Sequence, residues 1–554
     1  MRLRRTILSA VCATEKRRAR STSTQGLPAV PLALVGPARD CDSLEGSLRS
    51  PREGPLVESL LPRPRLLLIA FLLVAALLLR VDGITRQSVA SRELYGGLLA
   101  RQYYFGEGEG LSPPKRRVVQ ELDRVFNPIE PPVLNLASAV GFHLTGGENL
   151  WLPRLFSALF WVIGGVFLYL IAVRLTTGAG ALIALALYLF WPFGVWISRR
   201  GMPDAMMVAL LLASALLVIR YWERPSLARL VAAGLVSSFA VVAKPGVALI
   251  FLVVLFVALA LWNRAFRATL RNGRLPLFVV LASAVALAYY VYGTYVRDFL
   301  AGESESRLEP DLLGTGWFWK GWWSMIQTSL PFPQKQGFLA LVPLAASLAG
   351  VALANPRTRA VLIGFWLGYF AFGLTFTYHI ATHSYYSLPL IPILALSIGV
   401  LAGFVLERLK GAPIARGALV AFVALGVAAA GFKSQILLTS ENPRRLVADY
   451  RRIGEVTGHT THALVIDQLL VSPISYWGWI VANYWYEPTP GQDLPASGDP
   501  SPGIDPSQYS FLIVMDVGEL QTERKLHAFT RDLPVVARTS DYAVFDLRGA
   551  AASR

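Results

Sequence analysis

The chain has 554 residues, of which 54% are hydrophobic and only 16% charged, and its mean hydropathy is +0.48. Repeated apolar runs of about twenty residues match the hydrocarbon thickness of a bilayer, which excludes a soluble protein. The net charge of +16 suggests a nucleic-acid partner. However, the arginines lie in short loops between apolar runs, where retention on the cytoplasmic side explains them better, so we expect no nucleic-acid binding.

Residues 1–65 are rich in Arg, Ser, Pro and Gly and show no sustained apolar periodicity, which predicts a disordered basic tail in the cytoplasm. Both cysteines, Cys12 and Cys41, lie in this tail, so we expect no disulfide framework or cysteine metal cluster elsewhere. The tail lacks the apolar core of a secretory signal. A start codon placed too far upstream is an alternative explanation for it.

The apolar runs predict about eleven membrane spans. They lie near residues 66–80, 152–173, 179–197, 203–221, 227–243, 246–262, 275–295, 337–354, 360–378, 386–406 and 415–432. An odd number of spans with the amino end in the cytoplasm places the carboxyl end outside.

One further apolar run, Val133–Leu144, directly follows Glu130, Pro131 and Pro132. With about 12 residues it is too short to cross a bilayer, and we expect it to lie flat on the outer surface, within a first outer loop over 81–150. The basic loops then fall inside, and the segments "AGESESRLEPD" and "YHIATHSYY" fall outside. If the run were a span, four basic loops would lie outside, against the positive-inside rule.

From Ser440 onward the composition becomes polar. Strand-like "ALVID", "SFLIVMD" and "YAVFD" surround a helix candidate, and "EPTPGQDLPASGDPSPGIDPSQ" indicates a long loop. The predicted fold class is therefore mainly α: a polytopic transmembrane helix bundle over 66–435, followed by a small extracytoplasmic α/β domain over 436–554.

This topology collects ionisable side chains at the outer ends of the spans, and we expect them to face one outer cavity. The group comprises Asp82, Arg86, Arg92, Glu93, Glu130, Arg154, Arg199, Arg200, Asp204, Lys244, His379 and His383. Such a set suits the transfer of a sugar carried on a lipid phosphate. Cations hold the phosphate leaving group, and one carboxylate removes the proton of an acceptor hydroxyl.

Each of these residues also has a purely structural interpretation. Asp82 precedes Gly83 and fits a turn, Glu93 fits a solvated helix face, and Lys244 fits a snorkelling side chain. Arg154, Arg199 and Arg200 fit anchoring to lipid headgroups, although the last two oppose the positive-inside pattern.

His379 and His383 are four residues apart and fit metal ligands, but no HExxH pattern accompanies them, which favours hydrogen bonding or substrate contact. We expect no cofactor, while a divalent metal stays possible. The aromatic segments "GWFWKGWWSM" and "SYWGWIVANYWYE" fit either an entrance lined with rings or an interfacial belt.

An ordered set of segments carries a family resemblance. It runs "VDGITRQSVASREL", "EPPVLNLASAVGF", "LPRLFSALF", "SRRGMPDAMMVAL", "VVAKPG" and "HSYYSLPLIPILAL". Over about residues 66–435 the chain resembles the bacterial polyprenyl-phosphate-sugar glycosyltransferases of the GT-C superfamily. This superfamily includes protein O-mannosyltransferases of the family 39 type and the lipid A aminoarabinose transferase.

The resemblance implies a membrane enzyme that transfers a sugar from a polyprenyl-phosphate donor to a hydroxyl of a protein, lipid or cell-envelope glycan. Transfer would take place on the outer face of the cytoplasmic membrane. A polyprenyl-linked sugar flippase or transporter and an oligosaccharide ligase are the alternatives. A flippase favours charged sites near the bilayer midplane in two matching halves, and no such duplication occurs in this sequence.

In such families a first-loop aspartate, often in an Asp-Glu pair, is the proposed base. Here Gly83 follows Asp82, so the pair is absent, and Asp82, Glu93 and Glu130 compete, with Asp82 ranked first. Asp204 resembles the second acidic position of the family, and Lys244 resembles a basic position facing the donor phosphate. The other predicted contacts to the donor phosphate or substrate are Arg86, Arg154, Arg199, Arg200, His379, His383, Tyr385 and Tyr386.

Overall fold

The computed structural model describes residues 63–300, 309–330, 341–467, 469, 471–485, 500, 503–515 and 517–548. The chain divides into two units, Met1–Arg65 and Leu66–Arg554, and the account below concerns the second. The predicted disordered tail, the acidic segment up to residue 308 and most of the long loop 487–508 lie outside the described residues. The domain bounds derived from the sequence stay predictions.

Each predicted span coincides with an apolar helix or a bent pair of helices. These are Arg63–Val81, Trp151–Leu175, Gly178–Phe190 with Pro192–Ser198, Pro203–Glu223, Leu227–Ala243, Pro245–Trp262, Arg274–Val291, Val342–Leu353, Pro356–Thr375, Leu390–Arg408 and Pro413–Ser440. Among the described residues, eight helices are long and apolar enough to cross a membrane, or nine with the bent pair. The fold class is confirmed, and the count of eleven stays a prediction.

The helix starts follow local sequence signals. Ser226 Oγ accepts a hydrogen bond from Arg229 N at 3.3 Å, and Asn355 Oδ1 accepts one from Thr358 N at 3.0 Å. These side chains satisfy amide groups that a first helical turn leaves without a partner. Pro203 and Pro245 each occupy the first position of a helix, where the missing amide donor has no cost. Both prolines directly adjoin a predicted site residue.

Close helix packing builds the centre of the bundle. The helices Gly178–Phe190 and Leu390–Arg408 approach so closely that a Cβ on Gly399 would lie 2.7 Å from the Gly180 carbonyl oxygen. By contrast, the first and last spans expose most of their apolar surface, as expected for helices that face lipid. The chain is therefore a multi-pass membrane protein with peripheral first and last spans.

The loops gather in two groups, as the predicted topology requires. Three loops predicted to be cytoplasmic contact each other: Arg174 and Arg357 both pair with Glu223, at 3.8 and 2.9 Å, and Thr358 Oγ1 donates to Leu175 O at 3.0 Å. The loops predicted to be outside contact each other at the other ends of the helices. Which of these two ends faces the cytoplasm stays a prediction.

The first outer loop forms three helices, Ser91–Phe105, Pro113–Val125 and Val133–Thr145. The last is the short apolar run. Its face with Leu134, Ser138 and Phe142 is buried, while Val140 and Leu144 are 59% and 83% exposed. The helix is confirmed, and an exposed apolar face fits a helix lying at the membrane surface, although its orientation to the bilayer stays a prediction.

The carboxyl-terminal region is an α/β domain, as predicted. Its helices are Arg444–Val456, Ser472–Gly478, Val517–Thr522 and Arg524–Thr530, and its strands are β1 Ala463–Ile466, β2 Ala482–Tyr484, β3 Phe511–Val514, β4 Val535–Arg538 and β5 Ala543–Asp546. The sheet order is β2-β1-β3-β5-β4, with β1 parallel to β2 and β3 and the remaining pairs antiparallel. The segments predicted as strands form β1, β3 and β5.

This domain packs on the helices of the first outer loop. Leu94 and Leu98 of the loop share one apolar core with Tyr450 and Ile474 of the domain. Arg101, also in the loop, donates to Tyr476 O at 2.9 Å and stacks on the Tyr476 ring at 4.2 Å. A shared core holds the domain at a fixed position over the end of the bundle that is predicted to be outside.

Candidate active site

Glu93 and Arg154 form a buried ion pair that joins the first loop to the second span. Arg154 Nε donates to Glu93 Oε1 at 2.6 Å and Nη2 donates to Oε2 at 3.2 Å, while Gly201 N also donates to Oε1 at 3.1 Å. Burial alone would raise the pKa of Glu93, but the charge and hydrogen bonds of Arg154 outweigh it and lower the pKa to about 2. Glu93 is therefore ionised, and both of its carboxylate oxygens accept hydrogen bonds.

Four arginines surround a narrow space, open to solvent, beside this pair. We call it the arginine cleft; it is lined by Arg86, Arg154, Arg199 and Arg200 together with Trp196, Leu438 and Glu441. Arg200 pairs with Glu441 at 2.7 Å. Arg199 donates from Nη2 to Asp82 O at 2.8 Å, whereas the exposed Asp82 carboxylate accepts from Gln435. Gly83 follows with φ of +60°, so Asp82 does end a span at a turn.

A second, wider space lies between the first loop, residues 379–386 and the carboxyl-terminal domain. We call it the aromatic cavity; its walls include Arg92, Tyr95, Glu130, His379, His383, Tyr385, Tyr386, Ser472, Asn483 and Tyr484. Arg92 Nη2 contacts Glu130 Oε2 at 2.5 Å, and both side chains are largely buried. The aromatic cavity thus combines a carboxylate, a cation and several rings.

Lys244 and Asp204 form a second buried pair, with Nζ and Oδ1 2.5 Å apart. Lys244 Nζ also lies 4.8 Å from the centre of the Tyr385 ring and 4.0 Å from that of Tyr386. Asp204 Oδ2 is buried and has no hydrogen-bond partner among the described residues. The pair supports two walls of the aromatic cavity from within the bundle.

The two histidines are brought together. His379 lies in the short helix Thr377–Thr382, His383 follows it, and the rings stack with centres 5.5 Å apart. Burial, followed by the nearby charges of Lys244 and Arg92, lowers the pKa of His383 to about 4, so this ring is neutral at physiological pH. In the described part of the chain, no three His, Cys, Asp or Glu residues converge as metal ligands.

The expectation of a single cavity needs correction. The predicted residues divide between two spaces that share no lining residue: Arg86, Glu93, Arg154, Arg199 and Arg200 line the arginine cleft, and Glu130, His379, His383, Tyr385 and Tyr386 line the aromatic cavity. Asp82 lies beside the cleft, and Lys244 and Asp204 lie behind Tyr385 and Tyr386. The division arises because side chains of adjacent residues on a helix point about 100° apart, so Arg92 and Glu93 face different spaces.

Several structural alternatives do not hold. Glu93 is buried, not solvated, and Arg154 is held by Glu93 and by the carbonyls of Ile84 and Arg86, not by headgroups. Lys244 is buried against a carboxylate and does not snorkel. The segment "GWFWKGWWSM" forms part of helix Gly316–Ser329, and within the described residues it lines neither space.

Other wall residues of the aromatic cavity were not assigned to the site from the sequence. Tyr95 comes from the first loop, and Ser472, Asn483 and Tyr484 come from the carboxyl-terminal domain. Arg92, which also lines the cavity, already belongs to the ionisable group predicted from the sequence, but no role was assigned to it there. Asn483 and Tyr484 lie in the aromatic segment "SYWGWIVANYWYE", for which the sequence left an entrance lining and an interfacial belt open. Tyr95 and Ser472 carried no sequence signal, and the domain residues reach the cavity only through packing of the domain on the first loop.

Comparisons with known proteins agree with this architecture. Residues 129–292 match the family model described as dolichyl-phosphate-mannose-protein mannosyltransferase, a range that includes Glu130, Arg154, Asp204 and Lys244. The fold is similar to that of ArnT from Cupriavidus metallidurans in the apo state, with a TM-score of 0.57, 15% identity, and coverage of 88% of this chain and 98% of ArnT. A search of curated protein sequences gives no match.

A second ArnT structure, from the same organism and bound to undecaprenyl phosphate, gives a TM-score of 0.55 at 16% identity, covering 87% of this chain and 97% of that one. The Archaeoglobus fulgidus oligosaccharyltransferase is less similar: its TM-score is 0.47 at 13% identity, and the match covers 84% of this chain and 71% of that one. The fold is therefore of the GT-C type, and the resemblance predicted from the sequence is confirmed. Fold and family match together support a membrane glycosyltransferase.

Proposed function

We propose that the protein transfers a sugar from a polyprenyl-phosphate donor to an acceptor hydroxyl, and that transfer takes place in the aromatic cavity. The GT-C fold and the mannosyltransferase family match support the reaction class. ArnT has been solved with undecaprenyl phosphate, and we extend the same class of lipid donor to this chain. The acceptor is a protein, a lipid or a cell-envelope glycan.

The position of Glu130 is the observation that carries the proposal. Glu130 is the first-loop candidate that lines the wider space, where it faces the rings of residues 379–386 and the strand β2 residues of the carboxyl-terminal domain. Arg92, 2.5 Å away, favours the ionised carboxylate, which is the form that can accept a proton from an acceptor hydroxyl. We therefore assign the base to Glu130.

The other candidate carboxylates are placed less favourably for this chemistry. Asp82 does not line the aromatic cavity and accepts a hydrogen bond from Gln435. Glu93 is held by Arg154, and Asp204 by Lys244, so we assign positioning roles to both. Removal of either carboxylate would leave a buried cation without its partner.

The cavity walls suit a sugar phosphate. Tyr95, Tyr385, Tyr386 and Tyr484 offer ring surfaces against which the apolar face of a sugar can pack, as at other sites where aromatic rings bury ligand area. Arg92 is the arginine on these walls, and its planar fork matches the oxygens of the donor phosphate. Phosphate is a good leaving group, so one base suffices.

We place this site at the outer face of the cytoplasmic membrane, with the amino terminus in the cytoplasm and the carboxyl-terminal domain outside. The distribution of Arg and Lys between the two groups of loops supports this orientation. The long lipid of the donor would lie along the apolar helix surfaces near the cavity. Transfer on this side requires that the donor be presented to the outer leaflet.

The test is a transfer assay on the purified full chain with a radiolabelled polyprenyl-phosphate sugar and membrane extract as the source of acceptor. Glu130→Ala is expected to lower the rate by about a hundredfold or more, because a positioned base contributes on this scale. Asp82→Ala and Glu93→Ala are measured in parallel, and Glu121→Ala, which removes a carboxylate from the outer loop but from neither space, is the matched control.

Unchanged rates in Asp82→Ala, Glu93→Ala and Glu130→Ala alike would reject the carboxylate mechanism. A large loss confined to Asp82→Ala would move the base to the arginine cleft. A wild-type protein that moves labelled lipid between leaflets without transferring sugar would instead establish a flippase.

A further inference from the structure

The short segment 126–130 of the first outer loop is held by side chains along its whole length. It connects the helices Pro113–Val125 and Val133–Thr145 and ends in Glu130. We call it the anchored segment. Pro128 lies within it and has no amide donor, so the carbonyl oxygens are the main backbone groups through which the segment can be held.

Two adjacent tyrosines of a distant helix contact the end of the anchored segment. Tyr289 Oη donates to Pro128 O at 2.6 Å and lies 3.4 Å from Glu130 O, and its single proton serves the nearer oxygen. Tyr290 Oη donates to Ile129 O at 3.3 Å. Each of these two bonds joins residues 161 positions apart, so both depend on how the helix packs against the first loop.

The first loop itself holds the beginning of the anchored segment. Gln102 Nε2 donates to Phe126 O at 3.2 Å, and the Tyr95 hydroxyl donates to Asn127 O. The centre of the Tyr95 ring also lies 5.3 Å from the guanidinium carbon of Arg92, which contacts the proposed base. All five carbonyl oxygens of the segment are therefore within hydrogen-bond reach of a side chain.

Tyr289 and Tyr290 differ from tyrosines of an ordinary interfacial belt. They lie near the end of the helix Arg274–Val291, which is otherwise largely exposed, with Leu287 at 60%. Tyrosines at a membrane surface usually direct their hydroxyls to water and headgroups, and Tyr295, which is 83% exposed, fits that role. The hydroxyls of Tyr289 and Tyr290 bind the loop instead.

We propose that Tyr289 and Tyr290 are positioning residues that hold the Glu130 carboxylate at the wall of the aromatic cavity. The inference rests on the proposed function, since it takes Glu130 as the base. Holding the carbonyls of the two residues before Glu130 limits the movement of its backbone, while Arg92 orients its side chain. A base must lie within hydrogen-bond reach of the proton that it accepts, so loss of the hydroxyls slows transfer.

The kinetic test replaces both tyrosines by phenylalanine, which keeps the rings and removes only the hydroxyls. Transfer is measured on the purified full chain with the radiolabelled polyprenyl-phosphate sugar. Tyr289→Phe with Tyr290→Phe should lower kcat by about tenfold, since misplacing a reacting group by about 1 Å costs up to about a hundredfold. The donor KM should stay unchanged, because the cavity walls keep their side chains. Tyr295→Phe is the matched control and should change neither constant.

A double-mutant cycle shows whether the two tyrosines act through Glu130. In a Glu130→Ala protein the same two substitutions should not lower the residual rate further, because no base is left to position. A merely structural role would add its own loss to that of Glu130→Ala. An equal loss of kcat in both backgrounds would therefore overturn the proposal.

A spin label tests the anchoring without a measurement of transfer. Cys12 and Cys41 are replaced by serine, and a nitroxide is attached to a cysteine introduced by Asn127→Cys. Its electron paramagnetic resonance spectrum should show a more mobile label when both tyrosines are phenylalanine than in the parent or with Tyr295→Phe. Equal mobility in all three proteins would overturn the proposal.

The outcomes separate this inference from the proposed function. Unchanged transfer by Glu130→Ala would reject the base itself, and with it the positioning of that base. A large loss in Glu130→Ala together with a wild-type kcat in the tyrosine variant would overturn this inference alone. Tyr289→Phe and Tyr290→Phe are also measured singly, so the test stays decisive if the double variant fails to fold.

Discussion

Replacing Glu93 by glutamine is expected to destabilise the protein by about 3 kcal/mol at neutral pH. The pKa of Glu93 falls from 4.5 to about 2 on folding, and a difference of this size corresponds to about 3 kcal/mol. Glutamine keeps an acceptor for Gly201 N but leaves Arg154 buried without its counter-charge, which costs roughly 3–5 kcal/mol in comparable pairs. The two estimates agree.

The assay is unfolding of the purified protein in mixed detergent micelles, followed by circular dichroism. Because the folded pKa lies below the unfolded value, the stabilisation is complete above about pH 4.5 and disappears as the pH falls toward 2. Glu109→Gln, an exposed carboxylate in the same loop, is the control. A Glu93→Gln protein as stable as the wild type but unable to transfer sugar would refute the positioning role and make Glu93 the base.

Two further outcomes follow from the site. The pKa of His383 is about 4 in the folded protein, below the unfolded value of 6.5, so the free energy of unfolding should fall as the pH decreases from about 6.5 to 4. In thermal melts measured at several pH values, His383→Gln should remove this pH dependence. The exposed His143 is the control, because His143→Gln should leave the pH dependence unchanged. Lys244→Met should strongly lower the melting temperature, because it leaves the buried Asp204 carboxylate without its counter-charge. Adding Asp204→Leu should recover much of the lost stability. A double variant no more stable than Lys244→Met would contradict the pairing.

The spans could be predicted because each has one dominant signal, an apolar run near the bilayer thickness. The helices Trp151–Leu175 and Pro245–Trp262 begin and end within a few residues of the predicted spans. The two strands without a prediction lack the continuous, fully buried apolar run that marks β1 and β3. Strand β2 has three residues, and β4, Val535–Arg538, is largely exposed at an edge of the sheet.

The candidate site could be predicted only in part. Topology placed the charged residues at one end of the bundle, because most lie next to a span terminus and the others lie in the first outer loop. It could not give the pairing of Glu93 with Arg154 or of Asp204 with Lys244, since those contacts depend on how distant helices pack. The same limit applies to Tyr484, which reaches the aromatic cavity through docking of the carboxyl-terminal domain.

Sided cysteine labelling tests most directly the central claim that the reactive groups gather at the outer face. Cys12 and Cys41 are first replaced by serine, and single cysteines are introduced at the exposed positions Glu107 and Arg224. In intact cells an impermeant maleimide should label position 107, and position 224 only after permeabilisation. Labelling of both positions from the same side of the membrane would contradict the account.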